Sequence, residues 1–565
     1  MTTRIKKTVC VLLSTLMLLS CFSAISFAQT CSCPNDPIIY VYGKHELYCC
    51  DDDGNYVFDE NGDYILNTAN NFDYAEMTKE LLPLFAKGYL SHNWDEFGEK
   101  FLSYMLPLYE GKGCDGNGDV IDYTHYKLQP TDVNKLGWYQ GTTHGYHMGW
   151  NNHFFYDYRE SPILVAQKLD DFVQQVKEHT GHDKVVIVTR CQGACVVAAW
   201  LQLYESGEES VYVDEADMPA VPFESISKIA FIDSSADGID ALEEFFSGQL
   251  RADVDGLYRY LAKYDLKELL GGELGEFAVT AIDMLKETYG IDLLAGGLEK
   301  VYAEFAPAVI SPILRAYYAT CGGILACVKD YFDEMIDFIF PTDELKEEYA
   351  GLIEKATYVN KNITVRTHEI LKNAESAGVK IGVIAEYGTQ STPICPESAY
   401  LGDNMTSLYN QSFGATCSEV TGTLSEKYIA AQTEKGLGKY ISPDKQVDAS
   451  TCLFPDTTWI IKNADHVFCE AIHVLVVNFF RADYTVDSSA AYPQFLNYTP
   501  YDTWEGSLAP MQEKNPNDTE WGTLSGLENG EATKTILNKI IDFLVSFIRS
   551  IINAITSLVA NVRGH

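Results

Sequence analysis

Residues 185–199 read VVIVTRCQGACVVAA, an apolar β-branched run that stops at a turn of small residues and continues into an apolar helix. This pattern predicts a buried strand, a sharp turn with Cys191 at its apex, and a helix. Such a turn exposes its apex side chain above the sheet edge, while the next backbone amide and the helix N-terminus face any anion that forms there. The stretch therefore predicts a parallel α/β sheet that presents Cys191 as a nucleophile.

The runs before and after this stretch follow the order of a parallel, doubly wound sheet. Apolar, β-branched and aromatic residues predict further strands at 37–47, 153–159, 228–233, 380–387 and 457–462. A helix is predicted from Pro162, with Ser161 before it, to the residue before Gly181. Strand, helix, strand, turn and helix in this order indicate an α/β fold.

Four short blocks of the chain have counterparts in one known family. They are Pro-x-x-x-Val-x-Gly at 37–43, Tyr-Asp-Tyr-Arg at 156–159, the turn at 189–193 and Tyr-Gly-Thr at 387–389. With these blocks the chain resembles, over roughly residues 36–480, the lipases and acyltransferases similar to lecithin:cholesterol acyltransferase and lysosomal phospholipase. The resemblance implies an α/β-hydrolase fold with a mostly parallel doubly wound sheet, a catalytic triad, and an oxyanion hole on the backbone amides of Lys44 and Gln192.

The turn differs at four places from the Gly-x-Ser-x-Gly pattern of that family. Thr189 and Ala194 are small enough to keep the turn closely packed, but Arg190 replaces a histidine and Cys191 replaces the nucleophilic serine. A cysteine at the apex would form a thioester acyl-enzyme. The alternative gives Cys191 no catalytic role, as a buried thiol or as half of a disulfide with Cys195. The position favours catalysis, because the apex is where nucleophile and base must meet.

A thiol nucleophile needs a base and a group that orients the base. His466 follows the last predicted strand, where this fold provides its base, and it is therefore the predicted base. The acid should follow the strand at 380–387. Asp403 lies nearer to that strand and is preferred, whereas Asp444 has the Asp-x-x-Val spacing of the family and stays open as the alternative. The predicted triad is Cys191, His466 and Asp403.

The N-terminus has the features of a signal peptide. Basic residues precede an apolar run that ends near Phe22, and Ser26-Phe27-Ala28 forms a small-x-small cleavage site. A lipoprotein site ending at Cys21 is the alternative. Residues 1–28 are therefore predicted to be removed, which indicates a secreted or cell-surface-associated protein.

The cysteine count of the exported chain is odd. The chain has 15 cysteines, and Cys10 and Cys21 lie in the predicted signal peptide, which leaves 13. An odd count in an oxidising compartment predicts one free thiol, with the other 12 cysteines paired in six disulfides. Cys191 is the cysteine expected to stay free.

The formal net charge of −39 arises from 80 acidic and 41 basic residues. Nucleic acids and anionic membranes repel such a chain, so neither is predicted as an electrostatic partner. The Asn-Gly segments 59–63 and 115–119 are predicted to be hairpin turns, because both lack the sixth-position glycine and the bidentate glutamate of a calcium loop. No metal or cofactor is predicted, and the expected partner is a small-molecule or lipid acyl substrate.

Several segments extend beyond a minimal hydrolase core. A helical cap over the active site is predicted at 239–378, between two parts of the core at 29–238 and 379–481. A polar linker is predicted at 482–533, and an amphipathic helix at 534–565. Three roles stay open for this helix: contact with a membrane surface, docking on the core, and self-association.

Together these features predict an exported acyl hydrolase or acyltransferase that acts on lipid-like esters or thioesters. Cys191 would attack the acyl carbon, and His466 would pass the proton to the leaving group. The alternative prediction is a protein with a hydrolase fold that has lost catalysis and serves as a surface or binding protein. The sequence leaves the acyl donor and acceptor open.

Overall fold

The computed structural model describes fifteen parts of the chain. They are residues 35–43, 47–65, 74–128, 153–205, 223–260, 286, 290–320, 322, 327–388, 393–403, 405–464, 466, 468–481, 483–500 and 506–514. The predicted signal peptide at 1–28, the predicted helix at 534–565 and Lys44 lie outside these residues, so they remain predictions from the sequence.

Eleven strands occur within the described residues. They are β1 (Ile38–Val41), β2 (Tyr48–Cys49), β3 (Tyr126–Lys127), β4 (Val185–Arg190), β5 (Ile226–Ile232), β6 (Lys380–Tyr387), β7 (Thr416–Cys417), β8 (Val447–Asp448), β9 (Thr458–Lys462), β10 (Phe495–Pro500) and β11 (Gly506–Pro510). Seven of them form the main sheet, in the order β1-β4-β5-β6-β9-β10-β11. Neighbouring strands of this sheet are parallel, except that β11 is antiparallel to β10.

Fourteen α-helices occur within the same residues. They are α1 (Tyr74–Ser91), α2 (Asp95–Met105), α3 (Pro162–Thr180), α4 (Gly193–Glu205), α5 (Asp240–Phe246), α6 (Val254–Tyr260), α7 (Gly290–Ile313), α8 (Phe332–Ile339), α9 (Asp343–Glu348), α10 (Ala350–Val359), α11 (Thr367–Ser376), α12 (Leu408–Gln411), α13 (Glu426–Glu434) and α14 (Glu470–Arg481). None of the described helices is both long enough and apolar enough to cross a membrane.

Helices cover both faces of the main sheet. Val185 and Ile187 of β4 belong to one apolar core with α3, α4 and α11, whereas Val186 and Val188 belong to a second core with α14. Successive side chains of a strand point to opposite faces, so a strand covered on both sides must be apolar at every position. This explains the unbroken apolar run before the turn, and it gives the chain the α/β fold predicted from the sequence.

The strand predicted at 153–159 is reduced to one parallel bridge between His153 and Tyr40. The chain leaves the sheet because Asp157 organises a turn. Its Oδ1 accepts the backbone amide of Arg159 at 3.0 Å, and the Arg159 guanidinium binds the same carboxylate. The local ion pair between these residues therefore overrides the strand pattern of the aromatic run.

The polar linker predicted at 482–533 is wrong in its central part. Residues 495–500 and 506–510 form β10 and β11, which extend the main sheet beyond β9. Phe495 pairs with Ile460 of β9 and is buried. Pro and Gly near these strands suggested a linker, but Gly506 and Pro510 stand at the two ends of β11, an edge strand that tolerates both residues.

The predicted cap region contains α5 to α11, and its parts pack differently. Helix α11 joins the apolar core of the sheet beside α4, so the cap prediction of 239–378 includes one helix of the sheet layer. Helix α7 instead packs against α2, where the rings of Phe305 and Trp94 lie 5.8 Å apart. The helices of residues 74–105 therefore contribute to the same helical layer as α7, which the sequence did not predict.

Candidate active site

Cys191 lies at the apex of a sharp turn between β4 and α4. Its backbone φ of +51° falls in the left-handed region that residues other than glycine rarely occupy. The Ala194 amide donates to the Cys191 carbonyl at 3.0 Å, and the Cys191 amide donates to Ile232 of β5 at 3.2 Å. A Cβ on Gly193 would lie 2.7 Å from the Tyr42 carbonyl oxygen, so glycine lets α4 begin this close to β1. The turn holds a partly exposed thiol at the carboxyl edge of the sheet.

The loop after β1 runs beside this thiol. A Cβ on Gly43 would lie 3.6 Å from the Cys191 sulfur and 3.5 Å from the backbone nitrogen of Gln192. The Gln192 amide, one of the two predicted oxyanion donors, is therefore next to both the nucleophile and the loop. Lys44, the other predicted donor, follows Gly43 directly but lies outside the described residues.

His466 lies in the loop after β9, between Cys191 and Asp403. Its Nδ1 atom is 2.7 Å from Oδ2 of Asp403, and Cys191 lies near enough for its charge to raise the pKa of the His466 ring. The other carboxylate oxygen of Asp403 accepts the amides of Met405 and Thr406 at 3.0 and 2.8 Å. The Asp403 side chain is fully buried. The structure thus brings the three residues of the predicted triad together.

The surroundings of His466 favour its protonated form. Burial on its own lowers the pKa of His466, but the negative charges of Asp403 and Cys191 and the hydrogen bonds to both groups act in the opposite direction. The net result is a pKa well above the ordinary value for histidine. Asp403 therefore orients the imidazole and stabilises its protonated form.

The side chain of Gln411 fastens the loop that carries Asp403 to β6. Its Oε1 accepts the Glu386 amide at 2.7 Å, and its Nε2 donates to the carbonyls of Glu386 and Thr406 at 3.1 and 2.8 Å. Buried and satisfied networks of this kind specify one arrangement of the chain. A glutamine on the short helix α12 carries no sequence signal of this role, so sequence reasoning missed it.

Asp444, the alternative acid, lies in a different network. Its Oδ2 accepts from the Tyr387 hydroxyl and from Nζ of Lys462, both at 2.8 Å. Its Oδ1 accepts from the Ser442 hydroxyl at 2.6 Å. These contacts place the carboxylate in a buried ion pair with Lys462, so of the two acids left open by the sequence only Asp403 lies against His466.

A second buried ion pair lies behind His466. Nε of Arg190 is 2.9 Å from Oδ2 of Asp233, and Nη2 of Arg190 donates to the backbone carbonyl of His466. Removing one partner of a buried pair costs about 3–5 kcal/mol, because the other charge is left unpaired. The sequence did not single out Asp233, although it ends β5 at the sheet edge where parallel sheets carry functional groups.

Three buried carboxylates meet at this edge. Oxygens of Asp233, Glu386 and Asp403 lie within 4.8 Å of one another, a spacing that could also hold a metal ion. The oxygens of Asp403 are already used by His466 and by backbone amides, and the guanidinium of Arg190 supplies a permanent positive charge beside Asp233. The cluster is built around side-chain cations, and we assign no metal to it.

The segment between β5 and β6 reaches the turn at Gln192. The Nε2 atom of Gln192 donates to the carbonyl of Gly322 in this segment. The Tyr156 hydroxyl donates to the Tyr42 carbonyl at 2.9 Å. The ring of Tyr42 lies 5.7 Å from that of Phe468, two residues after His466. Aromatic and cap residues thus border the site.

The expected disulfides are not present in the described part of the chain. All ten cysteines there are free, so the prediction of six disulfides is wrong. The number of cysteines shows only whether one of them must stay unpaired, whereas a disulfide needs two sulfurs about 2 Å apart. The sulfur of Cys195 lies 3.8 Å from that of Cys327 as a pair of buried thiols. Cys191 is therefore not half of a disulfide with Cys195.

In the folded protein, Cys191 is expected to be the first of these ten thiols to react with iodoacetamide. Only Cys49, Cys191 and Cys417 are not buried, and burial of their sulfurs raises the pKa of both Cys49 and Cys417. Brief labelling and peptide mapping test this expectation. Unfolded protein without reductant should then label at all ten positions, and native labelling of Cys49 as fast as Cys191 would contradict it.

The Asn-Gly segments 59–63 and 115–119 form tight hairpin turns closed by antiparallel bridges, which confirms that prediction. In the first turn, Oδ1 of Asp59 accepts the amides of Asn61 and Asp63 at 2.8 and 2.9 Å. The carboxylate therefore organises its own turn.

The chain was compared with known protein families and with curated proteins. No protein-family model matches it, and no curated protein matches it at a significant level. The functional argument therefore depends on the geometry of the site and on the short blocks of the sequence.

Proposed function

We propose that the protein is an exported α/β-hydrolase-fold enzyme that hydrolyses or transfers acyl groups from esters or thioesters. Cys191 is the nucleophile, His466 the base and Asp403 the acid. The single observation that carries this proposal is the place of His466, whose Nδ1 lies 2.7 Å from the Asp403 carboxylate and whose ring lies near enough to Cys191 for the charge of that residue to act on its pKa. Nucleophile, base and orienting acid in hydrogen-bond reach are the requirements for covalent catalysis.

The acylation step follows from this arrangement. The Cys191 sulfur attacks the acyl carbon, and the carbonyl oxygen becomes an oxyanion beside the Gln192 amide, with Lys44 as the second predicted donor. His466 then gives its proton to the oxygen or sulfur of the leaving group as the bond to the acyl carbon breaks. The products are a thioester on Cys191 and a free alcohol or thiol.

Deacylation uses the same groups in the reverse direction. His466 takes a proton from water or from an acceptor alcohol, which attacks the thioester carbon. The Cys191 sulfur leaves as a thiolate, and the proton on His466 restores the starting state. Water gives hydrolysis and an alcohol gives transfer, so one site supports both reactions.

Lipid-like acyl groups are supported by the apolar border of the site. Tyr42 and Phe468 pack edge to face next to the nucleophile and the base. The Gln192 side chain also contacts the carbonyl of Gly322, in the segment between β5 and β6. Apolar and aromatic walls with a few polar groups are typical of small-molecule sites.

A p-nitrophenyl ester series tests the proposal directly. Mixing the enzyme with excess ester should release a burst of p-nitrophenol and add the acyl mass to the peptide that contains Cys191. Chain lengths from acetate to palmitate should show a preference for the longer esters. Cys49→Ala serves as a control because Cys49 is also partly exposed, and it should keep the burst.

The absence of both p-nitrophenol release and an acyl adduct at every chain length would remove the proposed activity. That result would favour the second prediction from the sequence, a binding protein with a hydrolase fold.

A further inference from the structure

The buried pair of Arg190 and Asp233 lies where it can act on His466. Asp233 follows β5, its side chain is fully buried, and its backbone φ is +46°. Its amide donates to Ile384 of β6 at 3.1 Å, which holds the residue in the gap between β4 and β6. A left-handed backbone at a non-glycine residue is strained, and surrounding structure must impose it. Strand β5 thus places the carboxylate of Asp233 at the edge of the sheet.

Arg190 connects this carboxylate with the base and the nucleophile. It precedes Cys191 directly in β4, its Nε donates to Asp233 at 2.9 Å, and its Nη2 donates to the His466 carbonyl. The guanidinium fork allows both contacts at once, in a way that a lysine could not reproduce. The loop of His466 is therefore tied to the strand that ends at the nucleophile.

Five charged or titratable groups lie around His466 and its partners. They are Cys191 at the turn, Arg190 on β4, Asp233 after β5, Glu386 on β6 and Asp403 in the loop after β6. The three carboxylates lie within 4.8 Å of one another and are fully buried, whereas Arg190 is the one permanent cation among these groups. Unpaired buried charge is costly, so negative groups this close to His466 stabilise its imidazolium form, which adds a second cation beside Arg190.

We propose that Arg190 and Asp233 are positioning residues that, together with Asp403, keep His466 as an imidazolium paired with the Cys191 thiolate in the resting protein. The inference builds on the proposed function, because it says how the nucleophile of that site is activated. The proton moves from the Cys191 sulfur to the ring nitrogen of His466, and no further reactant is needed. The sulfur then attacks as a ready anion, which the adjacent imidazolium stabilises.

Alkylation of Cys191 reports this ion pair without any acyl substrate. The thiolate attacks the methylene carbon of iodoacetamide and iodide leaves, so the rate follows the thiolate fraction. In the wild type, the rate should rise with pH, and the midpoint of this rise is the reference for the variants. Asp233→Asn removes one negative charge from beside the imidazolium and should move the midpoint upward by about one pH unit. At a pH below the midpoint, the alkylation rate should then be about tenfold lower than in the wild type.

Asp444→Asn is the matched control. Asp444 is also buried and also forms an ion pair, with Lys462 at 2.8 Å, but it has no contact with His466. The control should lose thermal stability and keep the wild-type midpoint. Equal midpoints in Asp233→Asn, Asp444→Asn and the wild type would overturn the inference.

The wild-type protein allows a test that no folding defect can affect. In a nitrogen-15 NMR spectrum, the ring signal of His466 is the one that is missing in His466→Gln. In the wild type this signal should show a protonated ring at pH 7. A neutral ring at pH 7 would overturn the inference even if esters are turned over. Conversely, a protonated ring and an upward shift of the midpoint in Asp233→Asn, without any acyl transfer, would contradict the proposed function and leave the inference about the ion pair standing.

Discussion

Replacing Cys191 with alanine is expected to lower the turnover number for a p-nitrophenyl ester by at least about 10,000-fold, the scale on which nucleophile removal acts in other triads. The thiol is the atom that forms the covalent intermediate, so its loss leaves only binding and the oxyanion donor. The steady-state rate should fall to that of the uncatalysed reaction, and the burst should no longer be detected. The Michaelis constant of any residual activity should change little.

Cys191→Ser gives a sharper version of the same experiment. The hydroxyl has nearly the shape of the thiol, but it gives up its proton far less readily and needs a neutral base. Asp403 raises the pKa of His466, which disfavours the neutral base that a hydroxyl needs. We therefore expect the serine variant to retain only a trace of activity, although it places an oxygen at the usual nucleophile position.

The control for both variants is Cys49→Ala, which removes another partly exposed thiol and should keep full turnover. A Cys191→Ala protein that keeps more than a few per cent of wild-type activity would place the nucleophile elsewhere. The proposal that the turn is a catalytic elbow would then fail.

The parts of the fold that local patterns determine were predictable. The strand before Cys191, the turn and helix α4 follow from β-branched residues, small residues and an apolar helix in direct succession. Helix α3 begins at Pro162 and ends at Gly181, whose φ of +70° closes the helix as a glycine cap should. Each of these features is decided by residues adjacent in the chain.

Features that depend on tertiary contacts were not predictable in the same way. Asp403 and Asp444 both follow β6, and only the folded chain shows that Lys462 and Tyr387 engage Asp444. The partner of Arg190 lies 43 residues away, on the neighbouring strand. In the sequence Arg190 was a departure from a motif, whereas in the structure it ties the base to the nucleophile strand.

Composition was misleading in two places. Pro and Gly near β10 and β11 resembled a linker, although the apolar side chain of Phe495 is buried against the sheet. The odd number of cysteines predicted six disulfides, but the sulfurs in the described residues lie singly or in thiol contact. Burial and distance decide both questions, and neither can be read from a count.

Asp403→Asn is expected to reduce the turnover number by about 1,000- to 10,000-fold, the scale seen when an orienting acid of a triad becomes an amide. The asparagine side chain has nearly the same shape but loses the charge that holds Nδ1 of His466 at 2.7 Å. Removing this anion lowers the pKa of His466, because Asp403 is the largest of the contributions that raise it. The loss should therefore appear in the turnover number and in the pH profile, while the Michaelis constant stays nearly unchanged.

Asp444→Asn provides the contrast that makes this result specific. It breaks the buried pair with Lys462, which should lower the free energy of unfolding by about 3–5 kcal/mol while leaving most of the turnover. Thermal unfolding and ester kinetics, measured on both variants, separate the two effects. If Asp444→Asn abolished turnover and Asp403→Asn kept it, the acid would have to be Asp444, and the geometry around His466 would no longer explain the reaction. If both variants kept turnover, Asp233 would be the carboxylate left to orient the base, since its charge also acts on His466. The double variant of Asp403 and Asp233 would then have to lose the activity that either single variant keeps.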